Sequence, residues 1–263
     1  MNLFFYVFIS AAGLLFGSFL NVCILRFPAR KSVITAPSAC PKCGRRLRAN
    51  ELVPVLSWLA QSGRCRHCND KISAQYPLVE LANAALWLIS AAAFINHNKA
   101  DSLLDLAVQC AVLSALLGVA ITDAQTGEIP LAFNAFIAIC AVLKIGHRML
   151  LGAPFSDILP HIIGAFAVSL PLCVVYITTR GGALGGGDIK LLAAAGLFLG
   201  WAQVTLGFFA ACLIGSIVHL VRMRFAGAGL ALRLGPYLVL GLALSMFFGT
   251  PLINWYISSI RSF

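Results

Sequence analysis

LFFYVFISAAGLLFGSFLNVCIL, residues 3–25, contains no charged side chain. A helix of that length covers the ~30 Å of hydrocarbon in a bilayer. No basic residue precedes the run and a basic stretch follows it, the reverse of a secretory signal, so it reads as a retained anchor. The rest of the chain agrees. Of 263 residues, 60% are hydrophobic and 11% charged, where a soluble domain carries about a quarter charged. Further apolar runs lie near 77–95, 102–122, 129–145, 158–178, 189–199, 201–221 and 235–257. The expected fold is an all-α polytopic membrane protein of about eight transmembrane helices, with the run at 189–199 the shortest. Residues 1–25 form the first transmembrane helix, 26–76 an insert, and 77–263 the rest of the membrane core.

Lys and Arg number 19 against 9 Asp and Glu, a net charge of +10. Ten of those cations fall between residues 26 and 76, with only Glu51 and Asp70 opposing them. Short loops rich in Lys and Arg stay cytoplasmic, so the insert should face inward and the N-terminus outward. Threading eight spans from there puts Arg180, Lys190, Arg222, Arg224 and Arg233 inside as well, and leaves Lys99, Lys144, Arg148 and Arg261 outside. A topogenic loop thus accounts for the basic excess, and no nucleic-acid partner is expected.

Within the insert, Cys40-Pro-Lys-Cys43 and Cys65-Arg-His-Cys68 present four sulfurs. Two C-x-x-C pairs can close a tetrahedral site with Zn–S bonds of ~2.3 Å. Gly44 and Asn69 follow the pairs, where a positive φ would turn the backbone around a metal. A cytoplasmic location disfavours disulfides. A loop with few large apolar side chains cannot bury a core of its own, so structural Zn²⁺ is expected to fold it. His67 is expected to point outward, and Cys23, Cys110, Cys140, Cys173 and Cys212 to pack as small apolar residues.

Two acids sit where an apolar run ends. Asp123 closes the third run, and Asp188 follows Gly185-Gly186-Gly187 at the start of the sixth, in the position of a helix N-cap. An ionisable group at the hydrocarbon edge is a functional candidate. Two spans separate them, so both return to the same face. Carboxylates paired in a poorly hydrated site share a proton, giving an acid and a base together, the equipment for hydrolysing a peptide bond. Gly185 and Gly187 would let an extended substrate approach, and Lys190 would hold its charge at the headgroups. The glycine run lacks the G-K-[ST] ending of a phosphate loop, and there is no H-E-x-x-H or G-x-S-x-G motif. Two other readings stay open: a proton-coupled transporter, and a zinc-bearing scaffold that docks an assembly partner.

Gly17-Ser18-Phe19-Leu20-Asn21-Val22, Arg26-Phe27-Pro28, the two C-x-x-C pairs, Gly63-Arg64-Cys65, Tyr76-Pro77-Leu78-Val79-Glu80, the Asp123–Pro130 interval and Gly185-Gly186-Gly187-Asp188-Ile189-Lys190 follow one another in an order that resembles the type IV prepilin peptidases. These are bifunctional leader peptidases and N-methyltransferases of bacterial inner membranes. The last segment is similar to the G-x-G-D pattern they share with preflagellin peptidases and presenilins. The resemblance implies that Asp123 and Asp188 are the catalytic pair. It implies a prepilin or pseudopilin precursor whose basic leader is cut after Gly on the cytoplasmic side. It implies too that the new amino terminus, commonly Phe, is methylated from S-adenosylmethionine. Many members carry further acids where this chain has Gln125 and Leu131, leaving Glu128 as the nearby rival to Asp123. No Gly-rich nucleotide fingerprint is present, so a cofactor pocket is expected between the Cys loop and the membrane edge, near Asn21 and Glu80.

Overall fold

The structure is a computed structural model that describes residues 2–96, 102–182, 184–226 and 233–261; Lys99, threaded to the outside, lies outside them. Among the described residues the regular structure is helical: α1 (Asn2–Arg26), α2 (Leu56–Ala60), α3 (Gln75–Asn96), α4 (Leu103–Thr126), α5 (Leu131–Leu150), α6 (Leu159–Ala167), α7 (Ser169–Thr178), α8 (Gly186–Leu199), α9 (Trp201–Ala226) and α10 (Gly235–Arg261). Seven segments are long and apolar enough to cross a membrane: α1, α3, α4, α5, the Phe155–Thr178 stretch containing α6 and α7, α9 and α10. Their outward side chains are apolar, Phe4, Phe8, Leu150 and Phe225 among the most exposed, as expected where the solvent is lipid.

The chain divides into two compact units, Met1–Ser114 and Ala115–Phe263. In the first, α1 and α3 run antiparallel in close contact. A Cβ on Gly13 would lie 2.8 Å from Ala84 Cα, and one on Gly17 would lie 2.7 Å from Glu80 Cα. This is the small-xxx-small spacing that lets helix backbones touch in lipid. Amides reinforce the contact: Asn83 Nδ2 donates to Gly13 O (2.7 Å) and Asn21 Nδ2 to Tyr76 O (3.1 Å). Beyond them Trp87 packs with Ile9, Ala91, Leu106 and Cys110, and its indole N–H reaches Ser114 Oγ at 2.9 Å.

In the second unit α8 is the axis, packed against α5, α6, α7 and α9. It is buried on nearly every side, through Leu191, Leu192, Ala194, Ala195, Gly196 and Phe198, as an apolar helix without a polar face must be. Gly164 of α6 and Gly196 meet backbone to backbone. With 14 residues α8 rises about 21 Å, too short to rank with the seven spans. It still runs alongside most of α5. At its start Gly187 touches Ile129, just ahead of α5, while at its end Phe198 O accepts from Lys144 Nζ at 3.4 Å. The run at 189–199 is therefore a short helix separate from α9, and Gly200 (φ 87°) makes the reversal between them. The fifth expected span is broken into α6 and α7. Pro171 has no N–H, and its ring would meet the carbonyl of Ala167, where α6 ends.

Candidate functional site

Asp123 lies in the last turn of α4, which closes when the Gly127 N–H (φ 73°) donates to Asp123 O at 2.9 Å. Arg233 Nη1 donates to the carbonyls of Asp123 and Ala124, a cation at a helix C-terminus where the dipole favours it. The Asp123 side chain is 6% exposed. The N–H of Gly235, the first residue of α10, faces its carboxylate, and Oδ2 has no hydrogen-bond partner among the described residues. A Cβ on Gly235 would fall 2.5 Å from that Oδ2, so only glycine lets α10 close over the acid.

Asp188 is the third residue of α8, whose N-cap is Gly185. The sequence reading made Asp188 the cap itself. Instead its carboxylate reaches back to the Gly185 N–H, the half of a capping box that an acid at this position supplies. It is 9% exposed. The charge of Asp123 acts on it. Two acids far apart in sequence thus lie within one another's field. Gly187 lets Ile129 pack at what would be 3.0 Å from a Cβ. Glu128 and Lys190 are exposed, so the rival acid lies in solvent-accessible surface. Two carboxylates that share one proton supply an acid and a base together.

The insert of the first unit is built as two matching turns. Cys40 N–H donates to Arg45 O and Gly44 N–H to Cys40 O. Cys65 N–H donates to Asp70 O and Asn69 N–H to Cys65 O, all four at 2.9 Å. Gly44 (φ 70°) and Asn69 (φ 56°) take the left-handed conformation, as their places after each Cys pair require. Lys42 and Asp70 join the two turns by an ion pair of 2.9 Å. The four sulfurs lie within 4.8 Å of one another, Cys40 and Cys68 at 3.8 Å. Sulfurs bonded at ~2.3 Å to a tetrahedral ion stand about 3.8 Å apart. The donor set therefore fits Zn²⁺, while His67 points away, exposed.

Where this insert meets the ends of α1 and α3 there is a cavity of about 440 Å³, whose walls include Asn21, Trp58, Tyr76 and Glu80. Glu80 Oε2 accepts the Val55 N–H at 2.7 Å, and the carboxylate also holds Ser18. Arg26 donates to the carbonyls of Ser32, Ala36 and Pro37, gathering the start of the insert. Asn21 is 2% exposed, and its Oδ1 has no partner among the described residues.

Comparison with known proteins accounts for both halves of this arrangement. Residues 11–94 match the Bacterial Peptidase A24 N-terminal domain, and residues 110–220 match the Type IV leader peptidase family. A prepilin leader peptidase/N-methyltransferase of Burkholderia pseudomallei (strain 1026b) is 37% identical over 93% of this chain and 85% of its own length. The chain belongs to the prepilin leader peptidase/N-methyltransferase family. One of the same description from Bacillus subtilis (strain 168) is 34% identical over 93% of this chain and 95% of its own. One from Aeromonas salmonicida (strain A449) is 30% identical over 94% and 92%. No solved structure matches the chain.

As a member of this peptidase family the chain is an enzyme, which sets aside the transporter and scaffold readings. The structure brings Asp123, Asp188, Gly185 and Gly187 together and gathers the four cysteines, while Lys190 stands exposed at the side of α8. The sequence reading missed Gly235 and Arg233. Neither carries a motif, and their only signal was a lone Arg next to Leu-Gly-Pro at the opening of the last apolar run.

Proposed function

We propose that the protein removes the basic leader from type IV prepilins or pseudopilins, cutting after Gly at the cytoplasmic face, and methylates the amino terminus it exposes. The observation that carries the hydrolytic half is the burial of Asp123 and Asp188 in a common field within the second unit. Asp123, whose Oδ2 has no partner among the described residues, serves as base and takes a proton from water as the water oxygen attacks the scissile carbonyl carbon. Asp188 holds the shared proton and donates it to the carbonyl oxygen. As the diol collapses, one hydroxyl returns its proton to Asp188 and Asp123 gives the proton it took from water to the leaving nitrogen, which restores both acids. The backbone of the Gly185–Gly187 turn, bare of side chains, gives an extended peptide room beside Asp188.

Topology supports the same reading. Threading with the N-terminus outside and the insert inside puts fifteen of the nineteen basic residues in the cytoplasm, the side where a basic leader is presented. The four cysteines hold a structural Zn²⁺ that folds the insert and leaves no open coordination position for chemistry. S-adenosylmethionine, when bound, supplies the methyl group that the new amine accepts.

Purified enzyme incubated with a prepilin and read by mass tests both halves. The expected result is loss of the leader without added cofactor, and one further methyl on the mature chain when S-adenosylmethionine is present. An intact precursor in both reactions would contradict the peptidase assignment.

A further inference from the structure

Residues 52–59 of the insert carry an apolar row that the fold leaves uncovered. Leu56 and Leu59 stand three positions apart on α2 and so share a face. They are 65% and 59% exposed, and Leu52 and Val53 just ahead of them are exposed as well. Two hydrogen bonds fix the depth at which this row lies. The Val55 N–H donates to Glu80 Oε2 at 2.7 Å, and the same carboxylate holds Ser18. Glu80 is the sixth residue of α3, and Ser18 lies eight residues before the end of α1. At 1.5 Å per residue they stand about 8 and about 12 Å inside the ends of their helices. The insert therefore folds back along α1 and α3 instead of standing clear of them. At that depth the outward side chains of both helices are apolar, Phe19, Leu78 and Leu81 among them. The dip is held against a cost: Val55, a β-branched residue, takes φ 59°, and the Leu56 N–H closes a three-residue turn onto Pro54 O, a rare and strained geometry.

Cations flank the row. Arg48 and Arg64 are exposed on either side of it in sequence, and of the insert's ten Lys and Arg only Lys42 has an acid partner among the described residues. Apolar side chains at headgroup depth, with Arg and Lys around them, make up a segment that lies in a bilayer surface. We propose that residues 52–59 are an interfacial anchor: the leucines and Val53 enter the border of the acyl chains, and Arg48 and Arg64 pair with anionic phospholipid headgroups of the same leaflet. The inference goes beyond the proposed activity, and the threading above makes that leaflet the inner one. Lipid fits as the occupant on two counts. The row continues the lipid-facing surface of α1 and α3, and on the proposed reading both the leader and the methyl donor are cationic, so the charge around the row repels them.

The test uses the full-length, zinc-loaded protein in lipid nanodiscs without precursor. A fluorescent amino acid replaces Leu56, Leu59 or, as a lipid-facing reference, Phe19, with bound zinc and melting temperature confirming the fold. Phospholipid brominated along its acyl chains should quench the probe at 56 and at 59 at least half as strongly as at 19. Quenching at both positions below a tenth of that at 19 overturns the anchor. So does a probe untouched by brominated lipid and shielded only when precursor is added, which would give the row to the substrate. Wild type, which needs no substitution, tests the headgroup contacts: trypsin should cut after Arg48 and Arg64 at least threefold more slowly in discs with one-third anionic lipid than in zwitterionic discs. Equal rates in the two overturn the pairing with anionic headgroups.

Discussion

Asp188 shows how one residue's surroundings set its chemistry. It is buried at the head of α8, where its carboxylate meets the Gly185 N–H and lies within the field of Asp123. Asp188→Asn keeps the size of the side chain and removes its charge. Asp188 was legible as a candidate because charge at a hydrocarbon edge is conspicuous. Its place as third residue rather than cap was not, because Gly185 can cap without a side chain. Gly235 was invisible for a related reason: what matters there is the absence of a Cβ 2.5 Å from Asp123 Oδ2, a tertiary fact that a glycine in an apolar run does not announce.

Elements differ in how far local sequence dictates them. The two cysteine turns were readable in full, down to the positive φ of Gly44 and Asn69, because metal-ligand spacing imposes its geometry over a few residues. The division of α6 from α7 follows from Pro171, yet hydropathy alone reads through it, since a proline interrupts a helix without making the run polar. Likewise the α1–α3 contact depends on Gly13 and Gly17 meeting Ala84 and Glu80, and the four-residue spacing does not name its partner. The insert supplies the prediction at this scale. Cys40→Ser leaves three thiolates and should release the metal, opening residues 40–68 to limited proteolysis at concentrations that spare wild type. Cleavage no faster than in wild type, with zinc retained, would mean that Cys40 is not a ligand.

At the level of the whole molecule, the balance of apolar to charged residues makes a multi-pass membrane protein of the chain, and the seven long helices agree. The run at 189–199 is the shortest in the chain because a helix buried on nearly every side, as α8 is, does not need the length of a span facing lipid. Its start lies beside Ile129, just ahead of α5, and its end beside Lys144. The proposed orientation predicts that a cysteine replacing Lys31 is labelled by an impermeant maleimide only from the cytoplasmic side, and one replacing Ser156 only from outside. Labelling of both from one side would overturn the threading. What the sequence could not supply was convergence. It offered two acids and a rule that both return to one face, but their burial comes from tertiary contacts: the start of α10 closes over Asp123, and Asp188 heads a helix packed on most sides.

The central claim is that Asp123 and Asp188 act as one catalytic unit, and the measurement that bears on it most directly is kcat/KM for leader cleavage by Asp123→Asn, Asp188→Asn and the double variant, each shown to be folded. Residues that act as a unit are not additive. Each single variant should lose at least ~10³-fold, and the double variant should be no worse than either. A single variant that keeps a tenth of wild-type activity, or losses that multiply in the double variant, would show that the two carboxylates do not share the chemistry.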